Sequence, residues 1–396
     1  MSSDPLPFDI CAALPSGTTV LEASAGTGKT YTIAALTARA IAEGAAELNQ
    51  LLLVTFGRMA TNELRLRVRE RLVSVESCLA DAVAQRVPTR QLRPLEVMLT
   101  TGQPDELACR RQRVTRALAE FDAATIATTH EFCLQMLDGL GVLGDREPHA
   151  TVVEHISDLT REVTTDLYLR RYSGGVPPMS YDEALEIANQ AVEAVHARLV
   201  PSGLALDDLS ASGERVAFGT AVRNEVERRK RASKLFTYDD MLTRLRDALA
   251  DPDRGPAAAD RLRQRYRIVM VDEFQDTDPI QWEILHRAFH RHSTLILIGD
   301  PKQAIYAFRG ADVFSYLDAV QQADHVRSLV VNRRSDRALV DALDVLLGET
   351  ALGDERIAVR TVTAEHQQCR LTAPADKLDV VTPIRVRVMP HQADAE

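Results

Sequence analysis

The sequence predicts an α/β fold in which a parallel sheet carries a phosphate-binding turn and is interrupted by large helical insertions. Three observations predict it. Four short runs, the β-prone Thr18 to Glu22 and the apolar Leu51 to Thr55, Ile268 to Val271 and Leu295 to Ile298, read as strands of a parallel sheet. A glycine-rich turn, Ala23 to Thr30, separates the first run from an alanine-rich stretch with helical spacing. An acidic pair, Asp272-Glu273, closes the third run, and the carboxyl ends of parallel strands are where such sheets bind ligands.

Taken in order, residues 18–54 read strand, turn, helix, strand. The helix runs from Thr30 to Glu43 with Gly44 as its C-cap. From Asn62 to Glu120 the chain is rich in Arg, Glu and Leu, which favours helices, with loops expected around Pro88, Pro94 and Pro104. Ala124 to Thr129 returns to a strand. Phe132 to Ala250 is helical again, broken at Gly174-Gly175, Pro177-Pro178 and Pro201 to Gly203. After Leu329 a helix is expected over Asp336 to Leu347, then β-rich runs at Arg356 to Val362 and Thr382 to Val388.

Composition narrows the function classes. The chain of 396 residues is 45% hydrophobic and 26% charged, ordinary for a globular protein of two or three domains. No apolar run approaches the ~20 residues of a membrane span, and residues 1–9 lack the basic start of a signal peptide. Five cysteines without Cys-x-x-Cys spacing point to free thiols in a reducing, cytoplasmic setting and away from zinc or iron–sulfur sites. The net charge of −10 excludes a histone-like coat but leaves room for local basic tracks, such as Arg65, Arg67, Arg69 and Arg71. The bland reading of each track is a solvated helix face balanced by nearby Glu.

Ala23-Ser24-Ala25-Gly26-Thr27-Gly28-Lys29-Thr30 is a P-loop with Ala at its first position. Gly26 and Gly28 permit the tight turn that converges backbone N–H groups on a phosphate. Lys29 is suited to the β/γ oxygens of ATP, and Thr30 to Mg2+. Asp272 is suited to the same Mg2+, and Glu273 to orienting and deprotonating an attacking water. After the run 295–298, Gln303 is placed to sense a phosphate. Tyr306, Phe308 and Arg309, a few residues on, are of the types that stack on or contact nucleic-acid bases.

Asp272 to Asp278 (Asp-Glu-Phe-Gln-Asp-Thr-Asp), taken with Gly299 to Asp312, resembles the UvrD-like class of superfamily 1 helicases. Leu21 to Thr30, Phe236 to Leu242 and Gly299 to Asp312 are most similar to the RecB branch of that class, and the likeness spans motifs from about residue 8 to residue 340. It implies a RecA-like P-loop NTPase domain built from residues 1–61, 121–135 and 251–328. Helical insertions would occupy 62–120 and 136–250, and a second RecA-like domain would begin at 329–396. It implies an ATP- and Mg2+-dependent helicase or translocase, moving 3′ to 5′ on single strands in double-strand-break repair and recombination. The partners implied are single-stranded or duplex-end DNA and RecC- and RecD-like subunits.

Residue by residue, the resemblance places Thr55 and Phe56 on the single strand, His130 near its backbone, and Asp239-Asp240 in an acidic turn lining the same channel. Phe56 also has a plain reading as a core residue, His130 and the acidic turn as structural groups. Gln303 would sense the γ-phosphate, Tyr306 and Phe308 would stack on bases, and Arg309 would meet DNA or the catalytic acids. Arg334, in Asn332-Arg333-Arg334-Ser335, would be an arginine finger.

The sequence also departs from the pattern. The residue before the finger is usually aromatic and packs on adenine; here it is Arg333, whose guanidinium can also stack. The adenine-reading glutamine motif is not evident upstream. Neither later helicase motif follows Ser335, nor does a nuclease signature. The expectation is an N-terminal motor portion. The alternative function is a module that binds ATP and single strands but turns over little, because half of the composite site is absent.

Overall fold

A computed structural model describes residues 5–141, 151–153, 155–193, 199, 210–305, 311–348, 350–370 and 383–384. Two compact units result: Met1–Thr129 with Ala259–Glu396, and the intervening His130–Ala258.

The first unit is built on a seven-stranded sheet in which every pairing is parallel. Its strands are β1 (Leu6–Pro7), β2 (Thr18–Ala23), β3 (Leu51–Thr55), β4 (Thr125–Thr128), β7 (Ile268–Val271), β8 (Thr294–Gly299) and β9 (His325–Leu329). The intervening β5 (Thr151–Val152) and β6 (Leu235–Phe236) pair with each other in the second unit. The spatial order is β1-β9-β2-β8-β7-β3-β4. β2 lies between β8 and β9, with Val20 opposite Leu297 and Val326. All residues of β2, β3 and β7 are buried, as expected of parallel strands covered on both faces. A separate parallel pair, β10 (Val331–Asp336) and β11 (Thr363–His366), follows.

The helices of this unit include α1 (Lys29–Glu43), α2 (Arg58–Val83), α3 (Pro94–Leu99) and α4 (Pro104–Ala119). The core joins α1 residues such as Ile33, Leu36 and Ile41 to Leu64, Val68 and Leu72 of α2 and to Leu21, Leu53, Met270 and Ile298 of the sheet. α1 ends at Gly44, whose left-handed conformation returns its N–H to Ile41 O. Pro94 and Pro104, expected in loops, instead open α3 and α4. Proline lacks an N–H, and an N–H at the first helical position would have no intrahelical acceptor to lose.

The second unit begins within α5 (Thr129–Leu140) and holds α6 (Ser157–Tyr172), α7 (Tyr181–Glu193), α8 (Ala211–Ser233) and α9 (Tyr238–Ala250). Its core packs Val163, Met179, Ala188, Phe218 and Val222. α10 (Gly255–Arg265) leads back to the sheet. α11 (Pro279–Phe289) is capped by the Asp278 side chain, which accepts from the N–H groups of Ile280 and Gln281. α12 (Val313–Gln322) precedes β9, and α13 (Arg337–Leu347) follows β10.

Two sequence expectations need correction here. The run Arg356 to Val362 is not a strand, and the strand forms one residue later, at Thr363–His366. Its register is set by pairing with β10, where Val331 faces Thr363; strand propensity alone does not specify a partner. β9 and β10 were not expected at all. The run Thr382 to Val388 lies outside the described residues, apart from 383–384.

Candidate nucleotide and DNA site

The carboxyl ends of β2, β7 and β8 gather the predicted chemistry. Ala23 ends β2, and Ser24 to Gly28 turn the chain into α1. The turn is locked from within: Thr27 N and its hydroxyl both donate to Ser24 O, at 3.2 and 2.7 Å. Gly26 has φ +80°, and a Cβ there would lie 2.8 Å from Cβ of Arg334 and 2.9 Å from Asn332 Oδ1. Glycine is needed for both conformation and space.

Lys29, the first residue of α1, forms an ion pair with Glu273. Glu273 follows β7 in the left-handed region, at φ 51°, a conformation that costs a non-glycine residue about 1 kcal/mol or more. Asp272 is held by its backbone, whose N–H donates to Val54 O at 2.8 Å. Burial first, and then the neighbouring Glu273, push its carboxyl up to about 6; Lys29 opposes them. Asp276 is pushed to about 6 by the same two causes, and its Oδ1 is buried without a hydrogen-bond partner. Three carboxylates against one ammonium leave an excess of negative charge that a divalent cation would relieve. Among the described residues no group of three or more ligand-type side chains is arranged to hold a metal. A cation here would share its coordination with phosphate and water, as Mg2+ does.

Gln275, which the motif reading did not single out, ties this acid cluster to the neighbouring strand. It is 2% exposed. Its Nε2 donates to Glu273 Oε2 at 2.9 Å, and its Oε1 accepts from Asp300 N at 2.9 Å. Gly299 makes that approach possible, since a Cβ there would sit 2.8 Å from Gln275 Oε1. Gln303 Nε2 donates to Asp300 Oδ2 at 2.6 Å, and Lys302 holds the other oxygen at 2.7 Å. Glu273, Gln275, Asp300 and Gln303 thus form one hydrogen-bonded series. Lys302 also reaches Glu22 at 3.5 Å, and Arg360 reaches the same carboxylate at 3.1 Å.

β10 brings Asn332, Arg333 and Arg334 against the P-loop. Asn332 Nδ2 donates to Ala25 O at 3.1 Å, and Arg333 N donates to Gly26 O at 2.8 Å. Asn332 Oδ1 accepts from the N–H groups of Arg334 and Ser335. The Arg334 side chain is exposed beside Gly26. Arg333 pairs with Glu365 at 2.8 Å and stands over the Tyr31 ring at 5.3 Å. Thr30 and Tyr31 line a cavity of about 440 Å³ between α1 and the helices α2 and α3.

The DNA-facing expectations fare unevenly. Thr55 is 2% exposed, and its hydroxyl meets Thr61 Oγ1 at 2.8 Å, so it is engaged inside the protein. Phe56 is half-buried. His130 lies in the second unit, edge-on to Tyr238 at 5.4 Å. There it shares a cavity of about 470 Å³ with Asp239 and Lys230. Asp240 closes the start of α9 by accepting from Thr237 N and pairs with buried Lys230 at 2.7 Å. Tyr306, Phe308 and Arg309 lie outside the described residues. Arg67 of the basic track on α2 is paired with acids, as are Arg110 of α4 and Arg228 and Arg229 of α8.

A phosphate turn, an acid pair and a glutamine loop at the ends of adjacent parallel strands narrow the family considerably. The UvrD/REP helicase N-terminal domain matches residues 9–324. The chain belongs to the UvrD/REP helicase family. It is 48% identical over 386 residues to RecBCD enzyme subunit RecB of Mycolicibacterium smegmatis, covering 96% of this chain and 34% of that protein. RecB of Mycobacterium tuberculosis H37Rv is 46% identical over 387 residues with the same coverage. RecB of Escherichia coli K12 is 28% identical over 462 residues, covering 84% of this chain and 38% of that one. The chain therefore spans about a third of the length of the curated relatives it matches. Among the described residues no helix is long and apolar enough to cross a membrane.

Proposed function

We propose that the chain is the ATP-binding motor portion of a RecB-type DNA helicase acting in double-strand-break repair. The observation that carries this reading is the Lys29–Glu273 pair. It sets the phosphate-binding ammonium against the group suited to activate water, two residues from a glutamine tied to the Gln303 loop. Lys29 and the N–H groups of the turn would bind the β- and γ-phosphates of ATP, and α1 would direct its positive end at them. Thr30 and Asp272 would hold Mg2+, which when bound neutralises charge developing on the transferred phosphoryl group.

Glu273 would then orient a water in line with the γ-phosphorus and accept its proton. The water oxygen bonds to phosphorus as the bond to the β-phosphate bridging oxygen breaks. Gln303 would leave Asp300 to meet the γ-phosphate. Arg334, beside Gly26, would stabilise the transition-state charge from the second domain; such a finger is worth ~10³–10⁵ in rate elsewhere. Phe56, His130, Tyr306, Phe308 and Arg309 would track a single strand by stacking and backbone contact. Duplex-end DNA and RecC- and RecD-like subunits are the partners this reading implies, in the cytoplasm.

The test is ATPase activity of the purified chain with and without single-stranded DNA. Stimulation by single strands, lost in Lys29→Ala and reduced in Phe308→Ala with ATP affinity retained, is the expected result. Absence of any nucleotide binding would refute the reading. ATP and strand binding without turnover would reduce it to a binding module.

A further inference from the structure

A cavity of about 460 Å³ opens at the amino ends of the central strands, a volume in the range of small-ligand pockets. Gly17, Ile268 and Thr294 line it, just before β2 and at the first positions of β7 and β8. The phosphate turn leaves the opposite, carboxyl end of β2. Leu36 and Ala40 of α1, Ile268 and Met270 of β7 and Ile296 of β8 give the cavity a buried aliphatic floor. Ala40 stands about 16 Å along α1 from Lys29, at ~1.5 Å per residue, so the cavity is separate from the phosphate site.

The rim is cationic, in a chain whose net charge is −10. Arg263, Arg267, Arg291 and His292 line the cavity, and no Asp or Glu is among its described lining residues. One explanation needs no ligand: α10 and α11 end here, and helix C-termini favour cations. It accounts for Arg263, which donates to Ala288 O at 2.7 Å and Arg287 O at 2.9 Å and pairs with Asp260 at 3.0 Å. It does not account for the rest. Among the described residues, the side chains of Arg267 and His292 neither donate a hydrogen bond nor meet a carboxylate. The Arg267 backbone is nevertheless pinned on both sides, its N–H by Gln50 O at 2.9 Å and its carbonyl by Thr294 N at 3.0 Å. Arg291 meets Asp324 only at 3.9 Å and its side chain is 69% exposed. It also holds φ 59° in the turn after α11, where glycine is the unstrained choice. Strain of this kind gathers at ligand sites.

An aliphatic floor under unpaired cations selects a ligand with both halves. We propose that this cavity is a ligand site separate from the P-loop, and that it binds a small organic anion: a carboxylate carried on an aliphatic body. Arg267 and Arg291 meet the carboxylate, whose two oxygens match the guanidinium fork. Leu36, Ile268 and Ile296 take the body, whose burial releases water from apolar surface. A free aliphatic acid and the apolar chain end of a peptide share this chemistry. The proposal does not depend on the reading of the nucleotide site.

Calorimetric titration of the intact chain with octanoate, hexanoate, 1-octanol, acetate and N-acetyl-Leu-Leu tests it. Octanoate is expected to saturate one site. Hexanoate should bind about tenfold more weakly, because each buried methylene is worth roughly fourfold. Octanol and acetate each supply one half of the ligand and should bind far more weakly than octanoate. Arg267→Glu should weaken octanoate by about tenfold or more. Ala45→Leu fills the mouth without changing charge and should do the same; unchanged melting temperatures show that both variants are folded. Octanoate binding tighter than the dipeptide identifies a free acid as the ligand, and the reverse order a peptide chain end. The proposal is overturned if neither acid binds, if octanol binds as tightly as octanoate, or if both variants keep wild-type affinity. Displacement of octanoate by ATP would overturn it too, by placing the acid in the phosphate site. If ATP itself fails to bind, the nucleotide reading falls and the octanoate result still decides this one.

Discussion

Replacing Glu96 by Gln should destabilise the first unit by about 3 kcal/mol at pH 7. Glu96 is 1% exposed and accepts from Ser74 Oγ at 2.8 Å, from Arg90 at 2.8 and 2.9 Å, from Arg71 at 3.3 Å and from Arg93 N at 2.9 Å. Burial alone would raise its pKa. The hydrogen bonds from Arg90, Arg93 and Ser74 overrule burial and lower it from 4.5 to about 2. At ~1.36 kcal/mol per unit, the charged form contributes about 3 kcal/mol. Breaking a buried pair by removing one partner has the same scale, about 3–5 kcal/mol. The folded value lies below the unfolded one. This contribution is therefore complete above the unfolded pKa, near pH 5, and fades as pH falls toward 2.

The assay is urea unfolding followed through Trp282, the single tryptophan, 6% exposed in α11 of the same unit. With a slope of about 3 kcal/mol/M, Glu96→Gln should lower the midpoint by about 1 M at pH 7. The gap between wild type and variant should narrow to about 1 kcal/mol by pH 3. A midpoint shift under ~0.3 M, or a gap that does not depend on pH, would refute the account of how Arg71 and the start of α3 are held.

Two further outcomes follow from the acid cluster. The Asp272 carboxyl is raised to about 6, so its charge costs stability above pH 6 and costs nothing below about pH 4. Asp272→Asn should therefore stabilise the chain by about 3 kcal/mol at pH 7, with the gain vanishing near pH 4. Metal-dependent nucleotide binding should be lost; urea titrations at both pH values and calorimetry with Mg2+ would measure these effects. Gln275→Leu should cost about 1–3 kcal/mol, because it leaves the Asp300 N–H buried without its acceptor. The same variant should lower ATP turnover by more than it lowers ATP affinity, because Glu273 keeps its Lys29 pair but loses its hydrogen bond from Gln275; thermal melts and steady-state kinetics would show both.

Much of the first unit was legible in the chain. β3 and β7 fall where uninterrupted apolar runs place them, because a strand covered on both faces leaves no polar alternation to misread. Gly44 ends α1 as expected, since a left-handed cap is a local need that glycine meets. Pro94 and Pro104 were misread as loop residues because proline is tolerated at either end of that choice. β10 escaped, and β11 was placed too early in the chain, because Val331 and Thr363 find each other only across 32 residues of chain, with no periodicity to announce it.

The same division runs through the candidate site. Its phosphate turn and acid pair were readable because each is a contiguous run whose spacing is its chemistry: N–H groups converging on an anion, and carboxylates at a strand's end. Tyr31 and Gln275 carried no such signal. One is an aromatic in a helix's first turn, the other an amide inside a motif already assigned to its acids. Their placement against Arg333 and Asp300 depends on sheet order, which brings β2 and β7 to either side of β8 and lays β10 over the P-loop. The sequence by itself determined where the glycine-rich turn and the acid pair stand and which family the chain belongs to. Only the tertiary structure decided which ring faces which cation and which amide joins which acid. Contacts between residues hundreds of positions apart are selected by packing, and no local pattern encodes them.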